Sequence, residues 1–216
     1  MNVRVDHLVV AAQTLDEGAQ WCEATLGITP GPGGKHALMG THNRLFRIAG
    51  DRFPDAYFEI IAIDPAAPPL GRARWFGLDT VDVSAGPRLV HWVGRIPAIE
   101  ADLQALRSLG IDAGEVLAAS RDTPHGPLHW RIAVRRDGAL QFGGALPTLI
   151  EWGERHPATT MPASGVTLRS LTLRRLGAAI VDTLGLQDVL VAADSGPALC
   201  AQLDTPLGPV TLDTAH

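Results

Sequence analysis

The stretch Val3-Arg-Val-Asp-His-Leu-Val-Val-Ala-Ala12 decides how the rest of the chain is read, because later segments either repeat its pattern or supply partners for it. Its apolar residues specify a strand. Strict alternation sends Val5, His7 and Val9 to one face and Asp6, Leu8 and Val10 to the other. His7 then stands among apolar neighbours and needs a partner, either a hydrogen bond that makes it a satisfied core residue or a bound ligand.

Immediately after the strand, Thr14-Leu-Asp-Glu17 has the form of a capping box and predicts a helix start. Leu15, Ala19, Cys22 and Leu26 follow at helical spacing, and Gly27 is placed to take the left-handed conformation that ends a helix. Pro30-Gly-Pro-Gly-Gly34 reads as a loop leading into His36–Asn43, with strands at Arg44–Ala49 and Ala56–Ile63, so the order is strand, helix, three strands. The loop has neither Gly-x-Gly-x-x-Gly nor a Gly-Lys-Ser/Thr ending, which excludes a nucleotide phosphate loop. In Tyr57-Phe-Glu-Ile-Ile-Ala-Ile63 a lone Glu59 interrupts an apolar run, and a buried carboxylate is costly unless a cation or donors meet it.

The pattern then returns. Asp64–Pro87 reads as a connector with a short helix near Trp75. Arg88–Arg95 is a strand, Ile99, Leu103 and Leu106 are at helical spacing, and Leu109-Gly110-Ile111 repeats the stop Leu26-Gly27-Ile28. Strands follow at Glu115–Ala118, Leu128–Val134 and Thr148–Trp152, the last carrying Glu151 where the first copy carries Glu59. A third round starts at Val166, stops at Gly185 and lacks both the histidine and the glutamate. This internal repeat divides the chain into modules at 1–64 and 88–157, a connector at 65–87 and a partial third module at 165–216, expected to pack as one compact α+β unit.

Composition narrows the function. With 216 residues, 46% of them hydrophobic, the chain can bury a substantial core. No apolar run approaches the roughly 20 residues that span a bilayer, and the N-terminus has no signal-peptide pattern, so the expectation is a cytoplasmic protein with no membrane partner. A net charge of −5 without a Lys/Arg cluster argues against nucleic acid. Cys22 and Cys200 lack metal-type spacing and read as buried free thiols.

The chemistry-bearing set is therefore His7 and Glu59 from the first copy with His91 and Glu151 from the second. Two imidazoles and two carboxylates suit a divalent ion such as Zn, Ni, Co, Mn or Fe, which would polarise a carbonyl or hydroxyl oxygen while a glutamate moves a proton. His91 carries an irregularity: it stands 19 residues before Gly110, whereas His7 stands 20 before Gly27. A slip of one residue turns a side chain to the other face of a sheet.

At this point the sequence resembles a known group. The His-strand and Glu-strand pair in tandem strand-helix-three-strand modules resembles the vicinal oxygen chelate superfamily, which includes glyoxalase I, extradiol dioxygenases and bleomycin-resistance proteins. Asp6-His7-Leu8-Val9, Gly33-Gly34-Lys35-His36, Gly40-Thr41-His42-Asn43, Phe58-Glu59-Ile60-Ile61, His129-Trp130-Arg131, Ile150-Glu151-Trp152 and His156-Pro157 look like its glyoxalase-like branch. The resemblance implies that paired βαβββ modules curl into a half-barrel holding a metal, with the third module packed outside or capping one end. It also implies a small-molecule substrate and is compatible with a homodimer.

His36, Thr41 and Asn43 fall in a segment that the resemblance places near the cleft, where they would orient an oxygen-rich substrate; their local alternative is turn chemistry. Trp130 and Arg131 face opposite ways on one strand, so one lines the pocket while the other is structural. His156-Pro157 reads as fixing the exit of the second module. The expected activity is a metal-dependent lyase or isomerase of glyoxalase type acting on a small oxygenated molecule, with Glu59 and Glu151 as the proton-moving groups. The alternatives are a metal-free protein that sequesters small molecules in the same cleft, and an extradiol-type dioxygenase using a 2-His-1-carboxylate set.

Overall fold

Each of the first two strand-helix-three-strand runs builds half of one sheet. In the computed structural model, which describes residues 1–215, the first run comprises β1 (Arg4–Ala11), α1 (Leu15–Leu26), β2 (Gly31–His36), β3 (Thr41–Arg47) and β4 (Tyr57–Ile63). The second comprises β5 (Arg88–Arg95), α2 (Ile99–Ser108), β6 (Glu115–Arg121), β7 (Leu128–Val134) and β8 (Thr148–Trp152). They join as an eight-stranded sheet in the order β2-β3-β4-β1-β5-β8-β7-β6. The two halves mirror each other: β1 runs parallel to β4, β5 runs parallel to β8, and β1 and β5 meet antiparallel at the centre. The sheet curls until its edge strands approach, and a Cβ added to Gly34 on β2 would stand 2.7 Å from Arg121 Nη1 on β6.

Alternation then assigns two cores. The outer face carries Leu8, Phe58, Ile60, Leu89, Trp92 and Leu149 against Cys22 and Leu26 of α1 and Leu103 and Leu106 of α2. The inner face carries Val9, Ile61, Val93, Trp130 and Ile150, and the connector fills it with Trp75, Phe76 and Leu78 around a 3-10 turn at Trp75–Gly77. Helix ends follow the sequence signals. The Thr14 hydroxyl accepts from Glu17 N at 3.1 Å, Gln13 N donates to the Glu17 carboxylate at 3.0 Å, and Gly27 closes α1 at φ 71°.

The third run, β9 (Thr167–Leu173), α3 (Ala178–Leu184), β10 (Leu190–Val191), β11 (Leu199–Thr205) and β12 (Gly208–Asp213), has the same element order but is connected differently, as a separate sheet β10-β9-β11-β12. Its Leu168, Leu171, Leu184 and Leu203 join the outer core, so it packs on the outside of the curled sheet. Val3 N donates to Leu184 O and Gln187 N to Val3 O, which sews this module to the start of β1.

Two local departures from the sequence reading position the site. The glycine-proline stretch expected as a loop is itself the edge strand β2, where Pro32 costs no interior ladder bond. Strict alternation in β1 fails at one step. Val5 pairs with Gly94 and His7 with Val93, leaving Asp6 as the extra residue of a β-bulge. Val5 consequently shares the outer core with Leu8 and Val10, while both Asp6 and His7 come to the inner side. Across the central pair, Val9 is opposite His91 and Val10 opposite Leu89, so Val90 is the extra residue of a second bulge. The count that set His91 one residue out of step with His7 is absorbed there.

Candidate active site

The bulge at Asp6 creates a chain of buried polar groups. Asp6 is 0% exposed, and its carboxylate accepts from His7 Nδ1 at 2.7 Å, His156 Nε2 at 2.9 Å and Trp152 Nε1 at 2.9 Å. Burial alone would raise the Asp6 pKa, but the bonds from His156 and His7 outweigh it and hold the carboxyl well below its usual range. On the far side of the imidazole, His7 Nε2 lies 3.4 Å from Glu59 Oε2. Burial opposes the charged ring, yet Asp6 and Glu59 together lift the His7 pKa to about 9. His7 is thus an imidazolium between two carboxylates, stacked on the Tyr57 ring at 4.5 Å.

Glu59 is held ionised in turn. Burial pushes its pKa up, but the bond to His7 and the donor Asn43 Nδ2, 2.6 Å from Oε1, bring it below the usual value. Asn43 is fixed because its Oδ1 accepts from Gly34 N at 2.8 Å. His36 Nδ1 stands 3.1 Å from Thr41 Oγ1, its ring lies edge-on to Trp75, and burial pushes its pKa down to about 4, leaving it neutral. His7, Glu59, His36, Asn43, Trp130 and Trp152 line a narrow slot of about 30 Å³, room for a water-sized group. Leu45, Arg121 and Pro157 line both this slot and an adjoining cleft of about 1080 Å³.

His91 and Glu151 stand elsewhere. His91 is 1% exposed, its Nδ1 is 3.1 Å from Gly144 O and its Nε2 accepts from Thr148 N at 3.0 Å. Burial drives its pKa down to about 3, so the neutral ring ties β5 to Gly144 and to Thr148 at the start of β8. Glu151 lies between Ile150 and Trp152 of the inner core, and alternation therefore places it on the outer face. There it accepts from Ile99 N at 2.8 Å, capping α2, and from Arg131 Nη1 at 3.1 Å. Arg131 also pairs with Glu100 and is structural on that outer side.

The four-ligand set expected from the repeat is therefore not brought together. Both nitrogens of His91 are occupied by the backbone of its own module, Glu151 faces the opposite side of the sheet, and His7 is charged rather than a free donor. Among the described residues no cluster of three or more His, Cys, Asp or Glu side chains is disposed to hold a metal ion. Of the residues expected to bind substrate, His36, Asn43 and Trp130 line the slot, Thr41 supports His36, and Arg131 lies outside.

Asp6, Tyr57, Trp75, Arg121 and Trp152 were not singled out by the sequence as site residues, and His156 was read only as a module exit. The adjacency of Asp6 and His7 was visible, but only the bulge makes them partners.

A family model described as a glyoxalase-like domain matches residues 5–183. Among solved structures, a hypothetical protein from Staphylococcus aureus is 16% identical with a TM-score of 0.61, covering 99% of this chain and 86% of that one. A methylmalonyl-CoA epimerase variant from Streptomyces coelicolor, in complex with 2-nitronate-propionyl-CoA, is 15% identical with a TM-score of 0.44 and covers 70% of this chain and 97% of its own. The methylmalonyl-CoA epimerase from Mycobacterium tuberculosis is 18% identical with a TM-score of 0.40, covering 69% and 86%. No curated protein matches the sequence. Among the described residues no helix is long and apolar enough to cross a membrane.

Proposed function

The chain belongs to the glyoxalase-like domain family of the vicinal oxygen chelate fold, and from that premise we propose that it is an isomerase or lyase that moves a proton on a small oxygenated molecule. The observation that carries this is the 3.4 Å separation between the His7 imidazolium and the Glu59 carboxylate, both buried in the wall of a narrow slot. That gap is too long for a strong hydrogen bond, and an incoming oxygen can accept from His7 Nε2 in place of Glu59. The Glu59 carboxylate then takes the proton from the neighbouring carbon, while the imidazolium stabilises the charge that develops on the oxygen. Returning the proton to carbon isomerises the molecule; expelling a leaving group instead completes an elimination. Asp6 holds the imidazole charged and correctly turned, and Asn43 fixes the rotation of Glu59. This keeps the lyase or isomerase class while assigning to His7 the polarising role that a divalent ion would otherwise supply; the expected metal ligands do not fit that ion as they are arranged.

A panel of 2-oxo acids, 2-hydroxy acids and thioesters in D2O, followed by proton NMR, tests this reading. The expected result is catalysed loss of one C–H signal with the natural protein and none with Glu59→Gln. No exchange with any compound, combined with saturable binding, would move the protein to the sequestration reading, which the wide apolar cleft beside the slot favours.

A further inference from the structure

We propose that the ligand of this slot is a carboxylic acid with an apolar body, its carboxylate held by Arg121 and Trp75 and its body lying in the wide cleft; the inference rests on the proton-transfer reading of the same slot. Arg121 ends β6, and its side chain crosses to Gly34 on the opposite edge strand, where no Cβ obstructs it. Its Nη1 is buried and has no hydrogen-bond partner in the protein, although a buried guanidinium nitrogen normally finds one. Trp75, another wall of the slot, carries a second such group: its Nε1 is also buried without a partner. Among the side chains that line the slot, these two are the buried N–H donors left without a partner.

Two unmatched donors in the lining of one slot, one of them on a guanidinium without an ion pair, call for an anionic acceptor with two oxygens. Glu59 cannot fill the role, because its oxygens face Asn43 and His7. Size selects the rest of the ligand. The slot of about 30 Å³ admits a small head group only, whereas the cleft of about 1080 Å³ has Phe46, Leu128 and Met161 among its walls and accepts a bulky apolar body. Arg121 stands at the junction of the two, so a carboxylate held there puts the adjacent carbon beside His7 and Glu59.

The test is calorimetric titration with 3-phenyllactate and with its primary amide, which keeps the shape and loses the charge. The natural protein is expected to bind the acid at least about tenfold more tightly than the amide, the usual worth of a charge-assisted hydrogen bond. Arg121→Gln should erase that preference, with an unchanged thermal melt showing that the variant is folded. Arg121→Lys should restore part of it, and Trp75→Phe should weaken the acid severalfold. Equal binding of acid and amide, survival of the preference in Arg121→Gln, binding of neither compound, or tighter binding of phenyl phosphate than of the acid would each overturn the proposal. Arg121-dependent acid binding without any proton exchange would remove the proton-transfer reading alone. Exchange on neutral substrates that Arg121→Gln leaves unchanged would remove this inference alone.

Discussion

Asp6 and His7, neighbours in the chain, hydrogen-bond to each other through their side chains at 2.7 Å, a contact that a regular strand forbids because successive side chains point to opposite faces. The bulge at Asp6 permits it, and the charge state of the site follows from it. Replacing Asp6 with Asn should therefore lower the His7 pKa from about 9, since burial is then opposed by Glu59 alone. A proton NMR titration of the His7 ring checks this: the ring should lose its proton at a lower pH in the Asp6→Asn variant than in the natural protein. A ring that titrates identically in both would mean that Asp6 does not set its charge.

The histidines also set a stability optimum. His7 has a raised folded-state pKa, so its contribution is complete below about 6.5 and is lost as pH rises through about 9. His91, with its pKa lowered to about 3, acts in the other direction: its contribution is present above about 6.5 and fades as pH falls toward 3. Denaturant melts across pH should peak near neutrality. The acid limb should be shallower in His91→Gln, by up to about 1.4 kcal/mol per pH unit. An unchanged acid limb would show that His91 is not held neutral.

Glu59 and Glu151 look equivalent in the repeat and should behave differently. Glu151→Ala removes the cap from Ile99 N and the partner of Arg131, and should cost about 1 kcal/mol of stability, with ligand binding in the slot unchanged. Glu59→Gln should abolish proton exchange, because the amide cannot take a proton. Thermal melts and the exchange assay on both variants make the comparison; loss of exchange in Glu151→Ala at a temperature where it is folded would contradict the assignment.

These differences show where the sequence was legible. Apolar periodicity and the stop glycines at 27, 110 and 185 specify the modules, since a helix end needing positive φ selects glycine almost alone: φ is 71°, 76° and 55° there. His7 and Glu59 were legible as polar residues stranded in apolar runs. The faces of Glu151 and Asp6 were not, because face depends on register, and one extra residue in a strand is invisible in composition. The third module was legible as elements but not as a sheet. Its strand pairing is set by contacts between segments distant in sequence, which a local pattern does not carry.

Gly33 gives a sharp steric prediction. A Cβ there would meet the Asn43 carbonyl oxygen at 2.1 Å, which cannot yield without moving β3, and Asn43 Oδ1 at 2.2 Å, which would have to swing away. Gly33→Ala should therefore destabilise the fold by about 1–3 kcal/mol and release Asn43 from Glu59. The second effect would be seen as slower proton exchange in molecules that remain folded. A variant with unaltered melting and exchange would mean that β2 sits further from β3 than the ladder indicates.

The last prediction concerns metal. A divalent ion binding the folded chain would stabilise it by RT ln(1 + [M]/Kd), about 2.7 kcal/mol at a hundredfold excess over Kd. For the residues at hand to bind it, His7 would have to lose its proton against two carboxylates, and His91 would have to give up Gly144 and Thr148. Each step opposes binding more strongly than at a ligand set already turned toward a common point. Titrating Zn, Ni, Co, Mn and Fe(II) into chelator-treated protein should therefore leave the melting temperature and the proton-exchange rate unchanged at micromolar metal. A saturable rise in melting temperature that disappears in Glu59→Gln would overturn this, and would mean that the slot rearranges around an ion with Glu59 as one of its ligands.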